Sequence, residues 1–336
     1  MKILTYQTKA GGQRLGTLSP DERHVIDLST LAPDAIALLE GGEQAIDAAR
    51  EHLAITRQEN WTELEQVTLC SPVPRPGTIR ETMCFEAHII NCIRLRMGPL
   101  GPLDERLARL VGTRRSLAGR LNSSFYQRPP YYKANPRSVV GTDTDVRIPP
   151  YTKQLDYELE WGVYIGKQGT DIPVDRAHEY IGGYTIFNDF SARDTQQHEM
   201  RGRLGPAKGK DFDTGNAIGP WLVTPDEIPD PYNLTMTARV DGEEWSRGNS
   251  GETSYRFDEL IAYMSRSETL YPGDFIGSGT CSGRLGKGCG LEQGRFLTAG
   301  NIVELEVEHI GVLRNRVISS TSRGRPGPNS ALVVLL

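Results

Sequence analysis

Apolar and polar positions alternate in short runs along most of this chain, and Gly, Pro, Asp or Asn closes nearly every run. That punctuation predicts many short strands and few helices. The first run covers residues 2–6. A glycine pair, Gly11 and Gly12, follows it, and a second strand-like stretch covers 24–28, so the opening reads as a hairpin. Helical stretches come next at 34–39 and 43–53, the latter rich in Ala, Glu and Arg with no Gly or Pro inside. The run Ser71-Pro72-Val73-Pro74-Arg75-Pro76-Gly77 can continue neither a helix nor a central strand. We therefore divide the chain there, into a small N-terminal α/β domain at 1–72 and a larger domain at 73–336.

Residues 97–151 are rich in Pro, Gly and Arg, and one helix is expected at 103–111, with Leu103, Leu107 and Leu110 on a shared face. A long connection bearing a single helix suits a functional lid, placed here at 96–128. Beyond residue 151, short strands are expected at 158–165, 184–189, 221–224, 234–240 and 302–307. The fold class that follows is α+β, mostly β. Neither an internal repeat nor a low-complexity tract interrupts it.

Composition narrows the function classes. With 336 residues the chain exceeds what one core usually organises, which agrees with the division at residue 72. Its longest apolar run, 331–336, is far shorter than the ~20 residues of a spanning helix, and no signal-peptide pattern opens the sequence. The expectation is a cytoplasmic protein with no membrane partner. Its 38 basic and 43 acidic residues leave a net charge of -5, which gives no electrostatic footprint for nucleic acid. The five cysteines (Cys70, Cys84, Cys92, Cys281, Cys289) are widely spaced without a CxxC pair, so they read as reduced thiols rather than disulfides or a zinc site.

Two acidic elements carry the candidate chemistry. In the stretch 155–161 a two-residue period puts Asp156, Glu158 and Glu160 on one face and Leu155, Tyr157, Leu159 and Trp161 on the other. Taken alone, this is also the pattern of a half-buried strand with its acids in water. The second element is Asp189, which ends an apolar strand between Phe187 and Phe190. A carboxylate there needs a partner, and a cation, nearby Arg193 or backbone donors at a turn would all serve. If Glu158, Glu160 and Asp189 converge, their all-oxygen donor set suits Mg²⁺, Mn²⁺ or Ca²⁺.

At these residues the chain resembles the fumarylacetoacetate hydrolase superfamily, over about residues 80–317. The family's E-x-E pair is matched by Glu158 and Glu160. Its N-D-x-S-A-R-D segment is matched by Asn188-Asp189-Phe190-Ser191-Ala192-Arg193-Asp194, its G-K-x-F by Gly209-Lys210-Asp211-Phe212, and its G-S-G-T by Gly277-Ser278-Gly279-Thr280. The resemblance implies a mixed β-sandwich or roll for the larger domain. It makes Glu158, Glu160 and Asp189 metal ligands, sets Lys210 beside metal and substrate, and turns Arg193, Gln196, Tyr132 and Thr280 toward the substrate. In the branch that cleaves fumarylacetoacetate, an acidic ligand lies seven residues before a catalytic histidine, matched here by Glu81 and His88, with Glu in place of that branch's Asp. A late glutamate that orients the histidine is matched by Glu292. Smaller relatives use a glutamate three residues after the histidine, where this chain has Asn91. Homodimers are common in the family, and the same state is expected here.

The chemistry implied is cleavage beside a carbonyl: a divalent ion on a 2-oxo acid or β-diketone stabilises an enolate, and His88, held by Glu292, activates water. The leading expectation is a metal-dependent hydrolase of an acylpyruvate or 1,3-diketone. Decarboxylation of an oxaloacetate-like 2-oxo acid, isomerisation and hydration use the same logic, and a non-catalytic metal-binding subunit is the alternative of another class. Seven arginines at 94–120 add the idea that Arg94 and Arg96 clamp an anionic substrate, against the plainer one of a solvated basic face. The patterns of a G-x-S-x-G nucleophile elbow and of a G-x-x-x-x-G-K-[ST] phosphate loop are both absent.

Overall fold

The computed structural model describes residues 1–9 and 11–321; the apolar run at 331–336 lies outside them. Strands dominate. The main sheet runs, side by side, Thr62–Glu63, His24–Asp27, Gln13–Leu18, Lys2–Gln7, Asn216–Val223, Ile181–Asp189, Glu160–Ile165, Phe275–Gly277, Ile79–Thr82 and Tyr131–Ala134. A smaller sheet runs Glu243–Asn249, Thr235–Val240, Ile302–Val307, Gly311–Ile318 and Val146–Arg147. The architecture is a strand-rich mixed α/β fold, and neither sheet closes into a barrel.

The opening differs from the hairpin expected. Lys2–Gln7 pairs with Gln13–Leu18, across the glycine pair, and the stretch at 24–27 pairs with Gln13–Leu18 as the third strand of a meander. Gly16, set between Tyr6 and Val25, hid the middle strand from an apolar count; a Cβ there would sit 2.8 Å from the Val25 side chain. Lys2–Gln7 also pairs antiparallel with Asn216–Val223. Residues 1–72 therefore share the main sheet with the rest of the chain, and Ile3, Leu15 and Leu38 share a core cluster with Tyr164, Phe187 and Phe275. The two helices appear as α1, Ala35–Glu40, capped by Asp34, and α2, Gly42–Ile55.

The alternation at 155–161 does not form one half-exposed strand. Leu155–Asp156 pairs with Ser191–Ala192, strand pairing in the main sheet begins only at Glu160, and residues 155–165 are all buried. The acids therefore do not face water. The reason is a sheet covered on both sides. Trp161, Val163 and Ile165 point into a core shared with Met236, Leu305 and Leu313 of the smaller sheet, while Tyr164 points into the cluster of Phe187 and Phe275. Trp161 stacks on Tyr184 at 5.4 Å between ring centres and meets Phe257 edge-on at 4.9 Å.

More helix fills residues 86–121 than the single one expected. Helix α3, Glu86–Arg96, carries His88; α4 is Gly101–Val111 and α5 is Leu117–Leu121. On α3 the buried residues His88, Ile89 and Ile90 are consecutive rather than three or four apart, so the sequence shows no clean helical stripe. Leu103, Leu107 and Leu110 do share a face of α4, but it faces outward; Asp104 and Ala108 occupy the buried one.

Candidate active site

Sheet register brings the acids together. Residues opposite one another on paired strands share a face, as do residues two apart on one strand. Glu160 lies opposite Phe187, two residues before Asp189; Gly162 lies opposite Gly277, Gly277 opposite Glu81, and Glu81 opposite Tyr132. Glu81, Glu160, Asp189 and Tyr132 therefore project from one face of four neighbouring strands and Tyr131–Ala134 at the edge. Gly277 opens the space between them, for a Cβ at that position would lie 1.8 Å from Oε2 of Glu81. Glu158, just before its strand, has its backbone N–H bound by Asn188 Oδ1 at 3.0 Å and turns its carboxylate toward the same region.

Lys210 enters this region from a loop, 2 % exposed, and donates to Glu158 Oε2 at 2.6 Å and Asp189 Oδ2 at 2.7 Å. Tyr132 also donates to Asp189. Arg193 pairs not with Asp189 but with Glu158 at 2.8 Å and Asp156 at 2.8 Å, and it donates to Gln196 Oε1 at 3.0 Å. Burial opposes charge on Glu158, yet Lys210 and Arg193 hold its carboxyl well below the usual range. Burial pushes Asp189 up to about 6 against the pull of Lys210. Glu81 and Glu160, buried and facing other carboxylates, are raised well above the usual range.

The donor chemistry fits a hard divalent cation. Both oxygens of Glu81, Oε1 of Glu160 and Oδ1 of Asp189 are buried without a hydrogen-bond partner. Unpartnered buried carboxylate oxygens are costly unless a cation neutralises them. Glu81, Glu158, Glu160 and Asp189 would be the residues to hold it. Their oxygens are more widely spread than the donors of His88, Cys289 and Glu292, which lie within 4.8 Å of one another.

His88 meets Glu292 as the motif order implies, with Nδ1 3.4 Å from Oε1, and both are buried. Burial lowers the imidazole, but Cys92, Cys289 and Glu292 around it raise it above its ordinary value. Glu292 is fixed by donors that the sequence reading overlooked: Asn91 Nδ2 at 3.0 Å, Ser282 Oγ at 2.7 Å and the Gly288 N–H at 2.8 Å. Asn91, at the position where smaller relatives carry glutamate, thus supports Glu292 instead of replacing it. Asp156 was also missed. It accepts from Gly290 N, Leu291 N and Arg193 Nε, and so ties the loop of Glu292 to the start of the helix Arg193–Glu199. Its place in the alternation with Glu158 was the available signal, but that spacing does not tell a ligand from a clamp.

Gln196, with Arg96, Gln154, Arg193, Leu291 and Cys92, lines a cavity of about 130 Å³ over the histidine side of the site. Thr280 is buried nearby in the Gly-rich segment. Arg94 is not free to join Arg96 as a clamp, because Asp104 holds its Nε at 2.9 Å. Among the described residues no helix is long and apolar enough to cross a membrane.

Comparison with known proteins bears on the family and the fold. The family model for the fumarylacetoacetate (FAA) hydrolase C-terminal region matches residues 110–318. The mitochondrial oxaloacetate tautomerase Fahd2a of Rattus norvegicus is 33% identical over 298 residues, which cover 88% of this chain and 84% of the relative. Its counterpart FAHD2A of Bos taurus is 31% identical over 325 residues, 95% of this chain and 92% of the relative. Among solved structures, a fumarylacetoacetate hydrolase from Exiguobacterium antarcticum matches with a TM-score of 0.72 at 23% identity, covering 95% of this chain and 99% of that one. The maleylpyruvate hydrolase of Sphingobium sp. SYK-6, in complex with manganese (II) ion and pyruvate, matches with a TM-score of 0.70 at 20% identity, covering 96% of this chain and 100% of that one. At those identities the structural likeness is one of fold.

Proposed function

Since the chain belongs to the fumarylacetoacetate hydrolase family, we propose that it is a divalent-metal-dependent enzyme that interconverts the enol and keto forms of a small 2-oxo dicarboxylic acid of the oxaloacetate type. The observation that carries this reading is the set of unpartnered carboxylate oxygens on Glu81, Glu160 and Asp189 around the Lys210 ammonium. A Mg²⁺ or Mn²⁺ ion bound there, with Ca²⁺ the other hard candidate, would supply the charge that stabilises an enolate. The protein's own groups do the rest. Lys210 offers an N–H to the oxygen on which charge develops. His88, steadied by Glu292, delivers a proton to the adjacent carbon and removes it in reverse. Arg193 and Gln196, at the cavity wall, orient the substrate carboxylate.

The test follows the ultraviolet absorbance of enol-oxaloacetate with Mg²⁺, with Mn²⁺ and with chelator. Metal-dependent loss of the enol faster than the buffer rate supports the reading, and an unchanged rate with either ion refutes it. The second reading, hydrolysis of an acylpyruvate, is favoured by the buried His88–Glu292 pair, which can serve water as well as carbon. A panel of acylpyruvates in the same assay separates the two.

Glu81 has a test of its own. In Gly277→Ala the new methyl group meets Oε2 of Glu81, the far end of a flexible side chain, before any backbone atom. The fold should survive while Glu81 swings away. Calorimetric titration is expected to show Mn²⁺ affinity weakened by about 10- to 100-fold. Unchanged affinity would remove Glu81 from the ligand set.

A further inference from the structure

We propose that His88, Cys289 and Glu292, reached past Cys92 at the cavity wall, form a second metal site, one that takes a borderline-soft divalent cation of the zinc type and, when filled, withdraws His88 from the chemistry. One donor atom from each of His88, Cys289 and Glu292 lies within 4.8 Å of the other two. Around a tetrahedral zinc ion neighbouring donors sit about 3.5 Å apart, so side-chain shifts of about 1 Å close the site. Nδ1 of His88 is buried with no hydrogen-bond partner and faces Glu292 Oε1 at 3.4 Å. Nε2, the other ring nitrogen, faces Cys92 Sγ at 3.8 Å. Nδ1 is therefore the nitrogen aimed at Glu292, and Cys92 lies on the other edge of the ring.

Widely spaced cysteines argue against a zinc site in the sequence, and the fold supplies what spacing lacks. Helix α3 supplies His88, and the Gly-rich loop that delivers Glu292 delivers Cys289 with it. The donors divide by chemical type: nitrogen and sulfur join one carboxylate here, and the oxygens of Glu81, Glu158, Glu160 and Asp189 form the all-oxygen set. Softer ions select the first set and Mg²⁺ the second. Cys92 is half-buried and lines the 130 Å³ cavity, which gives an ion a path inward. The positive charge of Arg193 beside that path is offset by its pairs with Asp156 and Glu158. Ligation replaces the thiol proton of Cys289 and any second proton on His88, and both leave to solvent.

Binding stands independently of the proposed reaction, whereas the loss of activity on binding rests on the role given to His88. The experiment keeps them apart. Metal-stripped protein, saturated with Mg²⁺, is titrated with Co²⁺ while thiolate-to-cobalt charge-transfer absorption is followed. The band should saturate at one equivalent per chain. It should weaken at least tenfold in Cys289→Ser and in Glu292→Gln, and persist in Cys70→Ser, whose buried thiol is not among the donors. Absence of the band, or a band unchanged in both site variants, overturns the site, and the second variant guards against misfolding of the first. One equivalent of Zn²⁺ should then cut wild-type oxaloacetate turnover at least tenfold, with recovery on chelation. A cobalt band without zinc inhibition overturns the withdrawal of His88. Wild-type protein inactive with every metal and substrate overturns the proposed function, while the band still reports the site.

Discussion

Lys210→Met should lose about 3–5 kcal/mol of stability in metal-free buffer, the cost of stranding buried charges by removing their partner. Lys210 is the ammonium that Glu158 and Asp189 share, at 2.6 and 2.7 Å, inside a region where both oxygens of Glu81 and Oε1 of Glu160 already lack a hydrogen-bond donor. Methionine fills a similar volume without charge, so packing changes little and the loss reports electrostatics. Added Mn²⁺ should raise the melting midpoint of the variant more than that of the wild type, since a cation among the carboxylates replaces the missing charge. Turnover should nonetheless fall by about 10²- to 10³-fold, because the N–H aimed at the developing oxyanion is gone. Thermal unfolding with and without Mn²⁺, alongside the oxaloacetate assay, checks both parts. An equal midpoint shift in the two proteins would mean that Lys210 and the cation do not share a neutralising role.

Much of the fold was legible because strand punctuation is a local signal. The 302–307 strand coincides with its expected bounds, and 184–189 and 234–240 come close. What escaped was decided by contacts distant in sequence. Asp156 looks like one more acid in an alternating strand, yet the chain leaves that strand after it, and its carboxylate accepts from the loop at 290–291. Helix α3 buries three consecutive residues against the late loop, a pattern no helical period announces. Conversely, Leu103, Leu107 and Leu110 form a regular stripe that points away from the core. The candidate site was named residue by residue from ordered motifs. Of its internal pairing, His88 with Glu292 was legible and the ion pairs were not, because which cation meets which carboxylate depends on register: Arg193 is near Asp189 in sequence and pairs with Asp156 and Glu158.

His88→Ala separates proton transfer from metal-assisted chemistry. His88 lies on helix α3 with Cys92, Cys289 and Glu292 around its ring, and of the proposed ligands it acts on Glu158, through charge and without a hydrogen bond. Removing the imidazole should therefore leave Mn²⁺ affinity within about twofold, while interconversion of enol- and keto-oxaloacetate falls by about 10²- to 10⁴-fold, the span of a lost general acid–base. Acylpyruvate hydrolysis, if the wild type performs it, should fall by as much, since water activation asks the same of the ring. Release of carbon dioxide from oxaloacetate requires charge stabilisation but no proton at His88, so any such side reaction should persist. Calorimetry, the enol absorbance and a coupled pyruvate assay on one preparation give all three values. If enol–keto interconversion survives within tenfold, the proton travels through another group, and Lys210 becomes the residue to examine. If Mn²⁺ affinity collapses instead, His88 belongs among the ligands, and the division between an oxygen cluster for the metal and an imidazole for the proton is wrong.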